Sequence, residues 1–197
     1  MQNDFTAIHM FLLQMVQIDD EAWQSLSEKL VRKTFKKKEL LLEEGKVCRE
    51  IGFIVKGSFR YYQTLDGEEI TTFFSFENNW TSAYSSFLTR QPSNTSIEAM
   101  ENSEVLIISY DTLQSLYKQY PSIEKFGRLM AEYLVTCLDE RLRSMLLKTP
   151  EERYLSVLQN NNEYFERVPL HYVASFLGIK AESLSRIRKR MMQKEIS

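Results

Sequence analysis

Apolar positions recur along this chain in two rhythms. Between residues 4 and 32, Phe5, Ile8, Phe11, Leu12 and Met15, then Trp23, Leu26, Leu30 and Val31, return at steps of three and four. That spacing predicts two amphipathic helices, the second capped by Asp19 or Asp20. From Thr34 the rhythm shortens. Leu40–Gly45, Ile51–Gly57, Ser58–Tyr62, Glu69–Phe74 and Glu104–Ser109 are β-prone runs, broken by Gly45, Gly57, Asp66-Gly67 and Pro92-Ser93-Asn94. Short strands with turn signals at such close spacing predict an antiparallel barrel or roll. Asp66-Gly67 between apolar runs is the strongest local hairpin signal.

From Ser122 to Leu147 the helical period returns without a proline. Ile123, Phe126, Met130, Tyr133 and Cys137 form a seam, with Leu134, Leu138, Leu142 and Met145 alongside. A seam this long, against a mean globular helix of about 12 residues, suits a helix that packs on the roll and on a partner helix. It predicts a homodimer; the other reading is an ordinary core helix of a monomer. Cys137 on the seam is either a small buried apolar residue or close enough to its mate for a redox-dependent crosslink. Thr149-Pro150-Glu151-Glu152 then supplies a cap, a first-position proline and first-turn acids, a clear helix start. The stretch Gln159–Glu163 is a loop or a helix end. The chain thus divides into a roll over residues 1–121, a dimerisation helix over 122–148 and a C-terminal domain over 149–197.

Two short helices joined by a tight turn follow from Val168. Pro169 opens the first, Val173, Ala174 and Leu177 share one side, Gly178 ends it in a left-handed conformation and Ile179 plugs the turn. In the second helix Leu184, Ile187 and Met191 define a buried face, and Glu182, Ser185, Arg186 and Lys189 lie opposite, with Arg190 at the edge. This is the layout of a helix-turn-helix with a recognition helix for the DNA major groove. Arg186 can grip guanine O6 and N7 bidentately and Glu182 can accept from cytosine N4. Lys180, Ser183, Ser185, Lys189 and Arg190 fit phosphate contacts. A solvated basic helix at a chain end would carry the same charges without the apolar face and glycine turn.

Charge distribution sharpens this reading. The whole chain is net −2, yet residues 168–197 hold six basic against two acidic residues, so a +4 end sits on a body of −6. That localises the phosphate-binding surface. Two cysteines and two histidines, widely spaced, predict no metal cluster and no metal ligands. The N-terminus lacks a basic leader and no apolar run is long enough to span a bilayer, so a cytoplasmic protein with no membrane partner is expected. No nucleophile–base pair or phosphate loop argues for an enzyme.

Taken together, these residues resemble the CRP/FNR family of bacterial transcription regulators over nearly the whole chain. Glu44-Gly45, Ile54–Ser58 and Asp66-Gly67 resemble its β-roll turns, Ser122–Leu147 its dimer helix, and Ala174, Leu177-Gly178 and Glu182–Arg186 its helix-turn-helix. The resemblance implies an α+β fold: an N-terminal antiparallel β-roll of jelly-roll type with flanking helices, a long dimerisation helix, and a winged-helix-like C-terminal domain. Because the chain stops at Ser197, the wing is expected to be absent or truncated, leaving phosphate contacts to the helix ends and Lys194. The implied partners are double-stranded DNA, read by a homodimer with recognition helices about one helical turn (~34 Å) apart, RNA polymerase, and an unknown small-molecule effector that reorients the DNA-binding domains.

The departures concern that effector. Cyclic-nucleotide-binding members carry a Gly-Glu pair and, roughly ten residues later, an Arg–Ser/Thr pair that holds the cyclic phosphate by charge. Counting back from Val105–Tyr110, those positions fall at Ser82-Ala83 and Ser93-Asn94. Losing both charged ligands should cost several kcal/mol of affinity, so cyclic AMP binding in the usual manner is not expected and no cofactor is assigned. Candidate effector-pocket positions are Ser82, Ala83, Arg90, Ser93 and Asn94, with Trp80, Tyr84, Phe87, Tyr61 and Phe73 as apolar surface and Ser85, Ser86 and Thr95 as further hydroxyls. The competing function is a β-roll ligand-binding or protein-interaction module that does not bind DNA.

Overall fold

The computed structural model describes residues 5–195. It forms two compact units: residues 1–63 with 74–134, and residues 64–73 with 135–197. This differs from the division expected from sequence, because the long helix α5 (Pro121–Leu147) is shared between them. Its first half carries the buried Ile123 and Phe126 into the core of the first unit, while its second half packs with the C-terminal helices.

The first unit opens with α1 (Thr6–Leu13) and α2 (Asp20–Ser27), whose Asp19 side chain accepts from the Ala22 amide at 2.8 Å. The helical pattern was expected to run on through Val31. Instead Val31 starts strand β1 (Val31–Phe35), where it pairs with Ile107, so sheet pairing overrides the local spacing. Seven further strands follow: β2 (Leu40–Leu42), β3 (Glu50–Lys56), β4 (Phe59–Leu65), β5 (Glu68–Ser75), β6 (Trp80–Thr81), β7 (Ser96–Ala99) and β8 (Ser103–Ser109). Between β6 and β7 lies the short helix α3 (Tyr84–Thr89), and α4 (Tyr110–Gln119) leads from β8 to α5. The strands form two four-stranded sheets, ordered β1-β8-β3-β6 and β2-β7-β4-β5. This is the antiparallel roll expected from sequence. Phe53, Ile54, Phe59, Ile97, Ala99 and Leu106 fill it, and Ile8, Leu12 and Leu26 close its helical side.

One buried ion pair bridges strands. Arg60 on β4 faces Glu98 on β7, with Nη2 3.5 Å from Oε1, and Lys38 Nζ donates to the same oxygen at 3.0 Å. The Arg60 guanidinium also lies 4.2 Å over the Tyr62 ring. A fully buried arginine so held is specified by its partners rather than by the strand's apolar pattern.

The second unit contains the tip of the β4–β5 hairpin. Asp66 (φ 52°) and Gly67 (φ 82°) make its two-residue loop, as a turn of the I′ type requires. The Thr71 amide donates to Ser175 Oγ at 2.9 Å, and that hydroxyl lies 3.4 Å from the Glu69 carbonyl. The rest of this unit is the second half of α5, then α6 (Pro150–Asn160), α7 (Glu163–Arg167), α8 (Leu170–Phe176) and α9 (Ala181–Glu195). Helix α6 starts as expected: Thr149 and Glu152 form a reciprocal capping box behind Pro150. The Thr149 amide and hydroxyl hold the Glu152 carboxyl below its usual range. Pro169, expected inside α8, stands one residue earlier as its N-cap.

Candidate nucleic-acid interface

Helices α8 and α9 meet through a Schellman turn. The Ile179 amide donates to Ala174 O at 3.0 Å and the Gly178 amide to Ser175 O at 2.9 Å, while Gly178 adopts φ +67°. A side chain at Gly178 would be strained by that backbone and would come within 2.8 Å of Met145 Cε. Val173, Ala174 and Leu177 of α8 and Leu184 and Ile187 of α9 are buried together. Burying Leu184 and Ile187 fixes how α9 is rotated. Glu182, Ser185, Arg186, Lys189 and Arg190 are consequently exposed, as is Lys180 before the helix, and Ser183 is half-buried.

Within that face two side chains are already engaged. Arg186 Nη2 donates to Ser183 Oγ at 3.1 Å, holding the guanidinium against its own helix. Arg190 Nη2 donates to Glu151 Oε1 at the start of α6. A groove of about 530 Å³ runs between Pro150-Glu151 and Ser183, Arg186, Lys189 and Arg190. The side chain of Lys194, expected to add phosphate contacts, lies outside the described residues, as does any wing after Glu195.

Two arginines that sequence reading passed over position the turn. Arg153 of α6 is buried; its Nε donates to Leu177 O at 2.9 Å and its Nη1 to Lys148 O at 2.8 Å. Arg141 of α5 donates to Phe176 O and stacks 3.9 Å over the Phe176 ring. Burial, and then the neighbouring Arg153, lower its pKa from the usual arginine value. Both cations thus sit on carbonyls at the C-terminal end of α8, where the helix dipole is negative. The only sequence signal for them was an arginine at helical spacing from apolar neighbours.

The roll positions singled out from sequence lie close together but are differently employed. Ser82 follows β6, Ala83 is the N-cap of α3 and Arg90, at φ 61°, is its C-cap. Arg90 Nη1 donates to Cys48 O at 3.0 Å, and its guanidinium lies 4.5 Å over Tyr110. Ser93 is buried in a turn where its hydroxyl donates to Thr95 O at 2.8 Å, and Asn94 Oδ1 accepts from Thr95 Oγ1. Tyr61, expected only as apolar surface, takes part through its hydroxyl. Its hydroxyl meets Thr81 Oγ1 at 2.7 Å, Ser75 Oγ at 3.4 Å and the Ser82 amide at 3.3 Å. Burial raises the pKa of this phenol, so it stays protonated. Phe73, proposed as pocket surface, belongs instead to the hairpin tip and is exposed. Among the described residues no cluster of His, Cys, Asp or Glu could hold a metal ion, and no helix is long and apolar enough to cross a membrane.

Residues 32–120 match the family model of the cyclic nucleotide-binding domain. Among curated protein sequences none matches the chain. Among solved structures, FixK2 from Bradyrhizobium japonicum superposes with a TM-score of 0.71 at 16% identity, over 85% of this chain and 86% of its own. A transcriptional regulator of the crp/fnr family from Eubacterium rectale gives 0.68 at 16%, over 90% and 85%. The c-di-GMP responsive global regulator CLP of Xanthomonas campestris gives 0.66 at 16%, over 90% and 93%. At such identities the likeness establishes the fold, roll and helical C-terminal unit included.

Proposed function

We propose that this chain, whose residues 32–120 form a cyclic nucleotide-binding-type domain and whose structural neighbours are CRP/FNR family transcription regulators, is a cytoplasmic, homodimeric, sequence-specific DNA-binding regulator without catalytic activity. The carrying observation is α9: Leu184 and Ile187 are buried behind a Schellman turn, which leaves Glu182, Ser185, Arg186 and Lys189 as one exposed face. Arg186 and Glu182 read base edges; Lys180, Ser183, Ser185 and Lys189 meet phosphates. RNA polymerase is the further partner this role calls for.

Dimerisation rests on α5. Beyond the half of the helix buried in the roll, Val135, Leu138, Leu142 and Leu146 stay 57–72% exposed at steps of three and four. They form one stripe, the arrangement a partner helix covers. Cys137, half-buried, lies about 145° round the helix from the middle of that stripe at 3.6 residues per turn, so it faces away from the mate and forms no intersubunit crosslink.

With Ala83 and Ser93 where charged ligands would stand and Tyr61 hydrogen-bonded to the Ser82 amide, the roll does not take cyclic AMP in the usual way. The family match of residues 32–120 favours a second reading, a roll-type ligand-binding or protein-interaction module that does not bind DNA. In vitro selection from a random duplex pool, with and without cell-extract metabolites, separates the two. Enrichment of a palindromic site supports the regulator, and no enrichment at low salt favours the module.

On the selected site Arg186→Ala is expected to lose about 1–3 kcal/mol and to relax preference at one base pair, whereas Lys189→Ala weakens every sequence alike. Equal losses for Arg186→Ala on selected and random duplexes would remove its base-reading role.

A further inference from the structure

Arg190 was expected to meet phosphate, yet the structure gives it an acidic neighbour. Glu151 is the second residue of α6. The capping box at this helix start uses Glu152, so the Glu151 carboxylate is left to turn outward. It accepts from Arg190 Nη2 on α9. The pair is solvent-accessible, with side chains 36% and 59% exposed, so the fold depends little on it. Its location is what matters. Of the side chains lining the groove beside the recognition face, Arg186, Lys189 and Arg190 are cationic and Glu151 alone is anionic.

Resting on the DNA-binding reading above, we infer that Glu151 is a positioning residue that withholds Arg190 from the DNA backbone and so limits sequence-independent affinity. A phosphate reaching Arg190 must displace a carboxylate already hydrogen-bonded to it, and that carboxylate also repels the phosphate. The sequence-independent share of binding scales with the number of phosphates neutralised. Holding one cation back lowers that share equally on all DNA. Binding then depends more on the contacts of Glu182 and Arg186 to base edges.

The test uses the full chain and measures affinity for a selected site and for random duplex across a salt series. Glu151→Gln keeps the side-chain shape and releases Arg190. With one Arg190 released in each protomer of the dimer, it should tighten binding to both duplexes by on the order of 25- to 100-fold at 0.1 M salt and steepen the log–log salt slope by about 1.8. Between 50 and 200 mM salt the variant should lose about twelvefold more affinity than the parent. The gain should vanish in Glu151→Gln/Arg190→Ala, because the released guanidinium is its source. An unchanged slope in Glu151→Gln, or a gain that survives in the double variant, overturns the inference while leaving DNA binding intact. A parent protein that binds no duplex at low salt overturns the DNA-binding reading, and this inference with it. Thermal unfolding of each variant within a few degrees of the parent excludes a folding effect.

Discussion

Leu138→Glu with Leu142→Glu is expected to leave the chain folded, monomeric and unable to hold its palindromic site. Both leucines are more than half exposed in the single chain, at 59% and 57%, so neither contributes much to the fold of its own unit. Covered by a partner helix, each would contribute about 1.5–3 kcal/mol, and a two-fold dimer buries each of them twice. The substitution removes that contribution and places four carboxylates in the seam. A micromolar to nanomolar dimer is held by roughly 8–12 kcal/mol, so little of it would survive. Half-site binding by a monomer then loses the effective-concentration gain, about 10²–10⁴ in affinity. Sedimentation equilibrium and a DNA titration on one preparation measure both effects. Cys137→Ser is the matched control: it changes the same helix on another side and should leave the dimer whole. A double variant that sediments as a dimer would show that another surface joins the protomers.

That stripe illustrates what could be read in advance. The sequence seam from Ile123 to Cys137 had the right period, but a period does not say which neighbour covers which side. Ile123 and Phe126 are buried in the chain's own roll, and Val135, Leu138, Leu142 and Leu146 are left exposed. Elements whose signal is local were legible. Asp66-Gly67 made its hairpin, Thr149–Glu152 its capping box and Gly178 its turn, because each depends on residues within a few positions.

Elements defined by distant partners were not. Strand β7 has all four residues buried, Ser96 and Glu98 among them, without the alternation that marks a half-buried strand. Glu98 is tolerable there only because Lys38 and Arg60 reach it from other segments. Val31 looked helical until its pairing with Ile107 was known. In the roll, counting residues located Ser82-Ala83 and Ser93-Asn94, with Arg90 between them. It could not show that Arg90 caps α3 and reaches the Cys48 carbonyl, or that Tyr61 extends from β4 to the Ser82 amide. The exposed side of α9 was legible and its support was not, since Glu151, Arg141 and Arg153 act on α8 and α9 from other helices.

Arg153→Ala tests that support. The side chain is 8% exposed and its guanidinium serves two carbonyls on separate segments: Leu177 O at the end of α8 and Lys148 O at the end of α5. Truncation leaves both acceptors without that donor, at about 1–3 kcal/mol each, and opens a void beside Gly178. Lysine restores the charge but not the planar fork that reaches both oxygens, so Arg153→Lys should recover less than half of the loss. The damage should be local, because Arg153 and its acceptors all lie in the second unit. Hydrogen exchange should accelerate from Val173 to Leu184 while amides of β3 and β8 keep their protection. Affinity for the selected site should fall at least tenfold, since the rotation of α9 is fixed through the turn that Arg153 holds. An Arg153→Ala protein with parental exchange at Gly178 and parental affinity would show that the Schellman turn and the buried Leu184–Ile187 face position the recognition helix without help from α6. The contrast with Arg141 sharpens the outcome. Its carbonyl contact to Phe176 lies one residue earlier and its guanidinium also rests on an aromatic ring. Arg141→Met therefore keeps much of the packing and should cost less than Arg153→Ala if hydrogen bonding at the turn, rather than coverage of α8, is what holds it.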